Sequence, residues 1–145
     1  MGFLDSMNIS ASALTATRLR MDVIAENMAN SNTTRTETGD PYRRKYVVFQ
    51  ERSKNSSFAA FFNKANSSYG GVRVAMIGED QSEFKLDYDP EHPDADENGY
   101  VRMPNVEVVQ EMTDMMSAYR AYEANITALN TFKDMAVKTL ELGKT

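Results

Sequence analysis

The chain has 145 residues, a formal net charge of -5 and no cysteine. That length suits one domain with a modest core, and the acidic balance argues against a nucleic-acid binder, which needs a basic footprint to displace phosphate counterions. Without cysteine there is neither a disulfide framework nor a thiolate metal site. The amino terminus shows no basic region followed by an apolar core, and no stretch approaches the ~20 apolar residues that span a bilayer, so neither a cleaved secretion signal nor direct membrane insertion is expected.

From Phe3 onward Leu4, Met7, Ala11, Leu14, Arg18, Met21, Ala25 and Met28 recur at alternating spacings of three and four, interrupted only by Arg18. This predicts an amphipathic helix ending near Asn30. Asn27, Asn30 and Asn32 crowd that end, where Asn tolerates the left-handed conformation that stops helices. The Thr- and Asn-rich stretch from Ser31 to Asp40 has no period and reads as a loop.

Tyr42 to Gln50 is β-branched and aromatic and predicts a strand; Val72 to Ile77 alternates as a second, and Phe84 to Tyr88 adds a third, giving one small sheet. Arg43, Arg44 and Lys45 form the densest basic cluster, read as a solvated strand edge rather than an anion site. Between the first two strands, Arg52 to Gly71 reads as a long loop with an aromatic anchor of Phe58, Phe61 and Phe62.

Asp89 to Gly99 concentrates Asp89, Glu91, Asp94, Asp96 and Glu97 around the single histidine, His92. Asp94, Asp96, Asn98 and Gly99 fit the first half of an EF-hand loop, but Asn105 stands where the bidentate Glu belongs. The prolines and the Asn98-Gly99 pair instead predict a rigid turn-rich connector. A lone histidine in a Pro-rich loop lacks a nucleophile or metal to act on, and the carboxylates lack the apolar cleft a glycosidase acid needs. No catalytic, cofactor-binding or metal-binding residue is assigned, no cofactor is expected, and the chain is read as not an enzyme.

Pro104 and Asn105 then predict the start of a second helix, with Asn105 as its cap and Gly143 as its close. Val108, Met112, Met115, Tyr119, Tyr122, Ile126, Leu129, Lys133, Ala136 and Leu140 alternate by four and three, all but Lys133 apolar. That is the seam of a coiled coil. The fold class is therefore α+β: two long terminal helices forming an antiparallel coiled-coil-like pair, with a small, mainly β or irregular middle segment. Residues 1–35, 36–104 and 105–145 are the three expected parts.

Three stretches carry a resemblance. Ala25 to Thr33 resembles the Asn-rich signature of bacterial flagellar rod and hook proteins, and Ser117 to Asn125 is similar to their carboxy-terminal helix motif. Gly39 to Lys45, together with Tyr88 to Val106, resembles the proximal-rod members of that family. The resemblance implies a structural subunit of the flagellar basal-body rod, exported through the flagellar type III apparatus without a cleaved signal. It would sit outside the cytoplasmic membrane, with copies of itself and other rod proteins as partners, and transmit torque through packed terminal helices. The expected assembly interface is Leu14, Met21, Met28, Asn30, Met112, Met115, Tyr119, Tyr122, Ile126 and Leu129. A calcium-responsive helical regulator is the alternative, and a cell-wall glycosidase a distant third.

Overall fold

The computed structural model describes residues 3–53 and 69–143. In chain order they form helix α1 (Phe3–Ala29), strands β1 (Lys45–Ser53), β2 (Tyr69–Glu79), β3 (Lys85–Tyr88) and β4 (Tyr100–Met103), and helix α2 (Val108–Leu142). This is the α+β arrangement expected. Both helices are free of Gly and Pro over their whole length. Their threonines are accommodated by turning hydroxyls back onto the preceding turn, as Thr17 does to the Ala13 carbonyl and Thr127 to that of Glu123. No helix among the described residues is long and apolar enough to cross a membrane.

The chain divides into two compact units, and each takes a piece of both helices. One comprises Arg20–Val48 and Met76–Ser117; the other comprises Met1–Leu19, Phe49–Ala75 and Ala118–Thr145. In the first, Arg20 meets Asp114 and Asn27 meets Glu111, so these parts of α1 and α2 run antiparallel. Its apolar core is Val23, Ile24, Tyr42, Val101 and Val106. In the second, the Ser12 hydroxyl accepts the Val72 N–H at 3.0 Å and donates to the Ile9 carbonyl at 2.7 Å. Gly71 lies beside that hydroxyl with φ of 88°, and any Cβ there would overlap the Ser12 oxygen, so both conformation and space demand glycine.

The strands make two separate two-stranded sheets, not the single three-stranded one expected. β1 pairs with β2: the Asp80 N–H donates to the Arg44 carbonyl at 2.8 Å, and Arg73 reaches Gln50. β3 pairs antiparallel with β4, Leu86 opposite Arg102 and Tyr88 opposite Tyr100. The sequence reading misses β4 because four residues between a turn and a proline carry too short an alternation to register. The aromatic anchor at Phe58, Phe61 and Phe62 lies outside the described residues.

Both helix ends correct the expected chemistry. No asparagine takes a left-handed conformation; α1 ends with the Asn30 N–H on the Glu26 carbonyl, and no described residue other than glycine has positive φ. Asn105 does not cap α2. The first bond of that helix runs from the Glu111 N–H to the Glu107 carbonyl, and the Asn105 side chain is used elsewhere.

Candidate functional site

The unit of Arg20–Val48 and Met76–Ser117 is closed by a buried polar joint centred on Asn27, which is fully buried near the end of α1. A primary amide offers two donors and two acceptor positions, and all four are used. The Asn27 Oδ1 accepts from the Tyr42 hydroxyl at 3.0 Å and the Lys45 N–H at 2.9 Å. Its Nδ2 donates to the Lys45 carbonyl at 2.8 Å and to Glu111 Oε2 at 3.0 Å. The side chain thus pairs with both peptide groups of Lys45 as a neighbouring strand would, and so fixes where β1 starts against α1.

Glu111, also fully buried, gives its other oxygen to the Arg44 Nε at 2.6 Å. Arg44 extends the network to Asp114 at 3.7 Å and Asp80 at 4.0 Å, and Asp114 meets Arg20 at 3.9 Å. Asn105 accepts the Arg44 N–H at 2.8 Å and donates to the Asp80 carbonyl and the Ser82 hydroxyl. Among the described residues no buried side-chain nitrogen or oxygen lacks a partner. Such an ion pair, with Glu111 buried and Arg44 part-buried, adds little net stability over an apolar pair, but deleting Arg44 leaves the buried Glu111 charge stranded at a cost of about 3 to 5 kcal/mol.

Among the described residues, the surroundings of Tyr42 and Asp80 shift their ionisation. Burial pushes the Tyr42 hydroxyl up to about 12, helped by the negative charges of Glu26, Glu111 and Glu79. The Ser82 N–H and hydroxyl bonds hold the Asp80 carboxyl below the usual range, with Arg44 and Arg43 adding to the effect.

The basic cluster is therefore not a solvated strand edge. Arg44 neutralises buried acid, Lys45 pairs with Glu26 at 2.5 Å, and the Arg43 guanidinium stacks 4.3 Å from the centre of the Phe84 ring. The acidic loop is a connector built from its own side chains. Asp96 Oδ1 accepts the N–H groups of Asn98 and Tyr100, Asp94 takes the Thr34 hydroxyl at 2.8 Å and lies 3.7 Å from Arg35, and His92 Nδ1 accepts the Asp94 N–H. Gly99 has φ of 82°, as its turn requires. The carboxylates that suggested calcium are acceptors in these turns, and the calcium reading gains no support.

The ten residues expected at an assembly interface fall into two sets. Leu14, Met21, Met28, Asn30, Met115, Tyr122 and Leu129 are half-buried; Met112, Tyr119 and Ile126 are exposed, the first two by 54% and 58%. Asn30 is tied locally, donating to the Glu26 carbonyl and accepting from Thr33. The inward positions of α2 are Glu111, Met115, Ala118, Tyr122, Asn125, Leu129, Phe132 and Ala136, a line rotated from the predicted one and sharing every second member with it. On α1 the most buried positions are Ser10, Ala16, Val23, Ile24 and Asn27, whereas Leu4, Ala11, Arg18 and Ala25 of the predicted line face solvent. Apolar periodicity misses this because the closed faces interleave small and polar residues, such as Ser10, Ala16, Asn27, Glu111 and Ala118, with the large apolar ones. The signal available was Glu111 at a helical position that a basic cluster could neutralise.

Comparison with known proteins follows the same organisation. The family described as flagella basal body rod protein matches residues 7–35, and that described as flagellar basal body rod FlgEFG protein C-terminal matches residues 97–142. The chain is 51% identical to flagellar basal-body rod protein FlgC of Bacillus subtilis, over 96% of this chain and 97% of that protein. It is 49% identical to FlgC of Borreliella burgdorferi, over 93% of each chain. To FlgC of Salmonella typhimurium it is 46% identical, over 99% of this chain and 100% of the relative. With α1 and α2 lying under the two matched segments and identity running through the connector between them, the chain belongs to the FlgC family of flagellar basal-body rod proteins.

Proposed function

We propose that this chain is a structural subunit of the flagellar basal-body rod, a non-enzymatic part that assembles with other rod components and carries load through its terminal helices. The observation that carries the assembly mechanism is on α2. Val109, Met112, Met116, Tyr119 and Ile126 recur at heptad spacing and are all exposed, although Met115, Tyr122 and Leu129 beside them are half-buried. A helix apolar on a second line is built for a second neighbour. Beyond Ala118 none of the described residues of α2 is fully buried. The exposed line of such a long helix gains burial only from further subunits.

On this reading residues 1–35 and 105–145 supply the packing helices, and 36–104 the smaller middle segment. Copies of this chain and other rod proteins are the neighbours. The flagellar export apparatus delivers the subunit to the rod, outside the cytoplasmic membrane. Torque then passes through side-chain packing, and methionines on both helices suit contacts that differ slightly from neighbour to neighbour.

The test is Tyr119→Asp, which puts a charge on the exposed line without touching the polar joint. We expect normal expression, normal export and unchanged monomer stability, but no completed rod and no swimming, whereas Lys138→Ala swims normally. Full-length basal bodies in Tyr119→Asp cells would refute assembly through this face.

A further inference from the structure

The chain has ten methionines and neither cysteine nor tryptophan, so thioether sulfurs are its most readily oxidised atoms. They are not equally open. Met7, Met21, Met28, Met103 and Met115 are half-buried, whereas Met112 is 54% and Met116 58% exposed. These two stand four positions apart and so lie side by side on successive turns of α2, both on its exposed apolar line. Met76 and Met135 are exposed as well, but Met76 belongs to β2, and helical periodicity puts Met135 on a different side of α2.

A peroxide oxidises a thioether in one two-electron step. The sulfur attacks one peroxide oxygen, the O–O bond breaks, that oxygen stays on sulfur as a sulfoxide, and the other leaves as water. A flexible apolar side chain becomes a polar one. In the single subunit this changes little at Met112 and Met116, because both side chains already face water and neither belongs to the polar joint. In an apolar contact the same oxygen loses its water and must find a donor, which is unfavourable.

We propose that Met112 and Met116 are the peroxide-sensitive modification sites of the free subunit, and that their sulfoxides keep an otherwise folded chain out of the rod. The proposal rests on the rod-subunit reading and adds to it a control: the line is open to oxidation before assembly and shielded after it. Methionine sulfoxide reductases, one for each sulfur epimer, are the class of enzyme that returns such a subunit to use.

The sequence supplies internal controls. Met103 to Arg120 contains no lysine or arginine before its last residue, so trypsin releases the exposed Met112 and Met116 on one peptide with the half-buried Met103 and Met115. The full-length chain, kept dilute, is treated with hydrogen peroxide, and fragment spectra of that peptide locate each added oxygen. We expect Met112 and Met116 to oxidise severalfold faster than Met103 and Met115, with the circular dichroism spectrum unchanged. Isolated basal bodies treated in the same way should show both residues protected severalfold relative to the free chain. In cells, Met112→Gln with Met116→Gln puts a polar group of similar length at both positions. That pair should be exported and folded yet complete no rod, whereas Met76→Gln, equally exposed but off the line, should swim normally.

Equal oxidation rates along the peptide overturn the proposal, and so does equal oxidation of Met112 and Met116 in basal bodies and free chain. Full-length rods built by the glutamine pair overturn it too. Tyr119→Asp run in parallel separates this inference from the reading beneath it: rods lost there but built by the glutamine pair leave assembly through α2 standing and remove the oxidation control, whereas rods built by both remove the two together.

Discussion

The first three turns of α2 and the rest of that helix obey different rules. Val108 to Ala118 contains the fully buried Glu111, whose two oxygens are taken by Arg44 and Asn27, and it ends on the buried Ala118. From Tyr119 to Leu142 no described side chain is fully buried, and Tyr119, Ile126, Met135, Val137, Leu140 and Leu142 are exposed. The subunit's own fold is specified where directional bonds must all be made, since a single unmade bond in a buried site costs about 1 to 3 kcal/mol. On the proposed reading, contacts with neighbours use the exposed apolar line of α2, and apolar surface tolerates small differences in geometry. A rod subunit has a use for both kinds of contact, because its own shape is fixed while its neighbours are not all alike.

The comparison is broken most directly at Asn27. Asn27→Leu removes a group that serves Tyr42, both peptide groups of Lys45 and Glu111, so several buried polar atoms lose partners at once. We expect a loss of at least about 3 kcal/mol in urea unfolding followed by circular dichroism. Glu111→Leu should come close to it, with Glu111→Gln milder because an amide can still accept from Arg44. A loss under about 1 kcal/mol for Asn27→Leu would mean the joint does not hold the unit together.

Gly99→Val comes next. The residue sits at φ of 82°, and an added Cβ would meet Pro90 Cγ and Tyr88 Cε2 at 3.1 Å each. We expect a cost of about 1 to 3 kcal/mol from backbone strain. Because Tyr88 is displaced as well, the substitution should also disturb the β3–β4 face. A fully stable Gly99→Val protein would show that the connector tolerates other turn geometries.

Much of this was legible in the sequence, and what was not has a physical cause. Both helices, the bodies of β1 and β2 though each starts three residues from the expected position, and the need for glycine at position 99 follow from periodicity and turn chemistry. The polar joint was hidden because its members are far apart in the chain: Asn27 and Glu111 are separated by 84 positions, and neither contributes to an apolar pattern. Arg44 read as surface for the same reason, since a cation looks solvated until its carboxylates are found. The predicted seams were placed on the lines with the largest apolar side chains. On α2 that reading selected the exposed line together with the residues the two lines share, and so only half of the subunit's own inward line.

A pH titration sharpens the comparison by addressing the joint alone. Tyr42 is pushed up to about 12 in the folded protein by burial first and by nearby carboxylates second. An unfolded tyrosine releases its proton near 10, so between about pH 10 and 12 the folded state binds more protons than the unfolded one. Stability therefore falls as pH rises through that window and is unaffected by this group below it. Tyr42→Phe should start lower, having lost the bond to Asn27, and should show a flatter decline. Asp80 acts in the opposite sense: its lowered folded value makes it stabilising above about pH 4, with that contribution lost on further acidification. Equal alkaline slopes for Tyr42→Phe and the parent would remove Tyr42 as the source.

The smallest effect is expected where the carboxylates invite the most interest. Asp94→Asn combined with Asp96→Asn removes two charges from the acidic connector but leaves its acceptors. The amide oxygen introduced at position 96 can still take the N–H groups of Asn98 and Tyr100, and the one introduced at position 94 can still take the Thr34 hydroxyl. What is lost is the pairing of Asp94 with Arg35, whose side chain is 72% exposed, and such surface pairs contribute between zero and about 1 kcal/mol. We therefore expect thermal unfolding of the double variant to stay within about 1 kcal/mol of the parent and rods to assemble. Adding calcium should move neither protein. A calcium-dependent rise in the parent's unfolding temperature that vanishes in the double variant would instead identify a cation site, and the connector would then owe its rigidity to an ion rather than to its own turns.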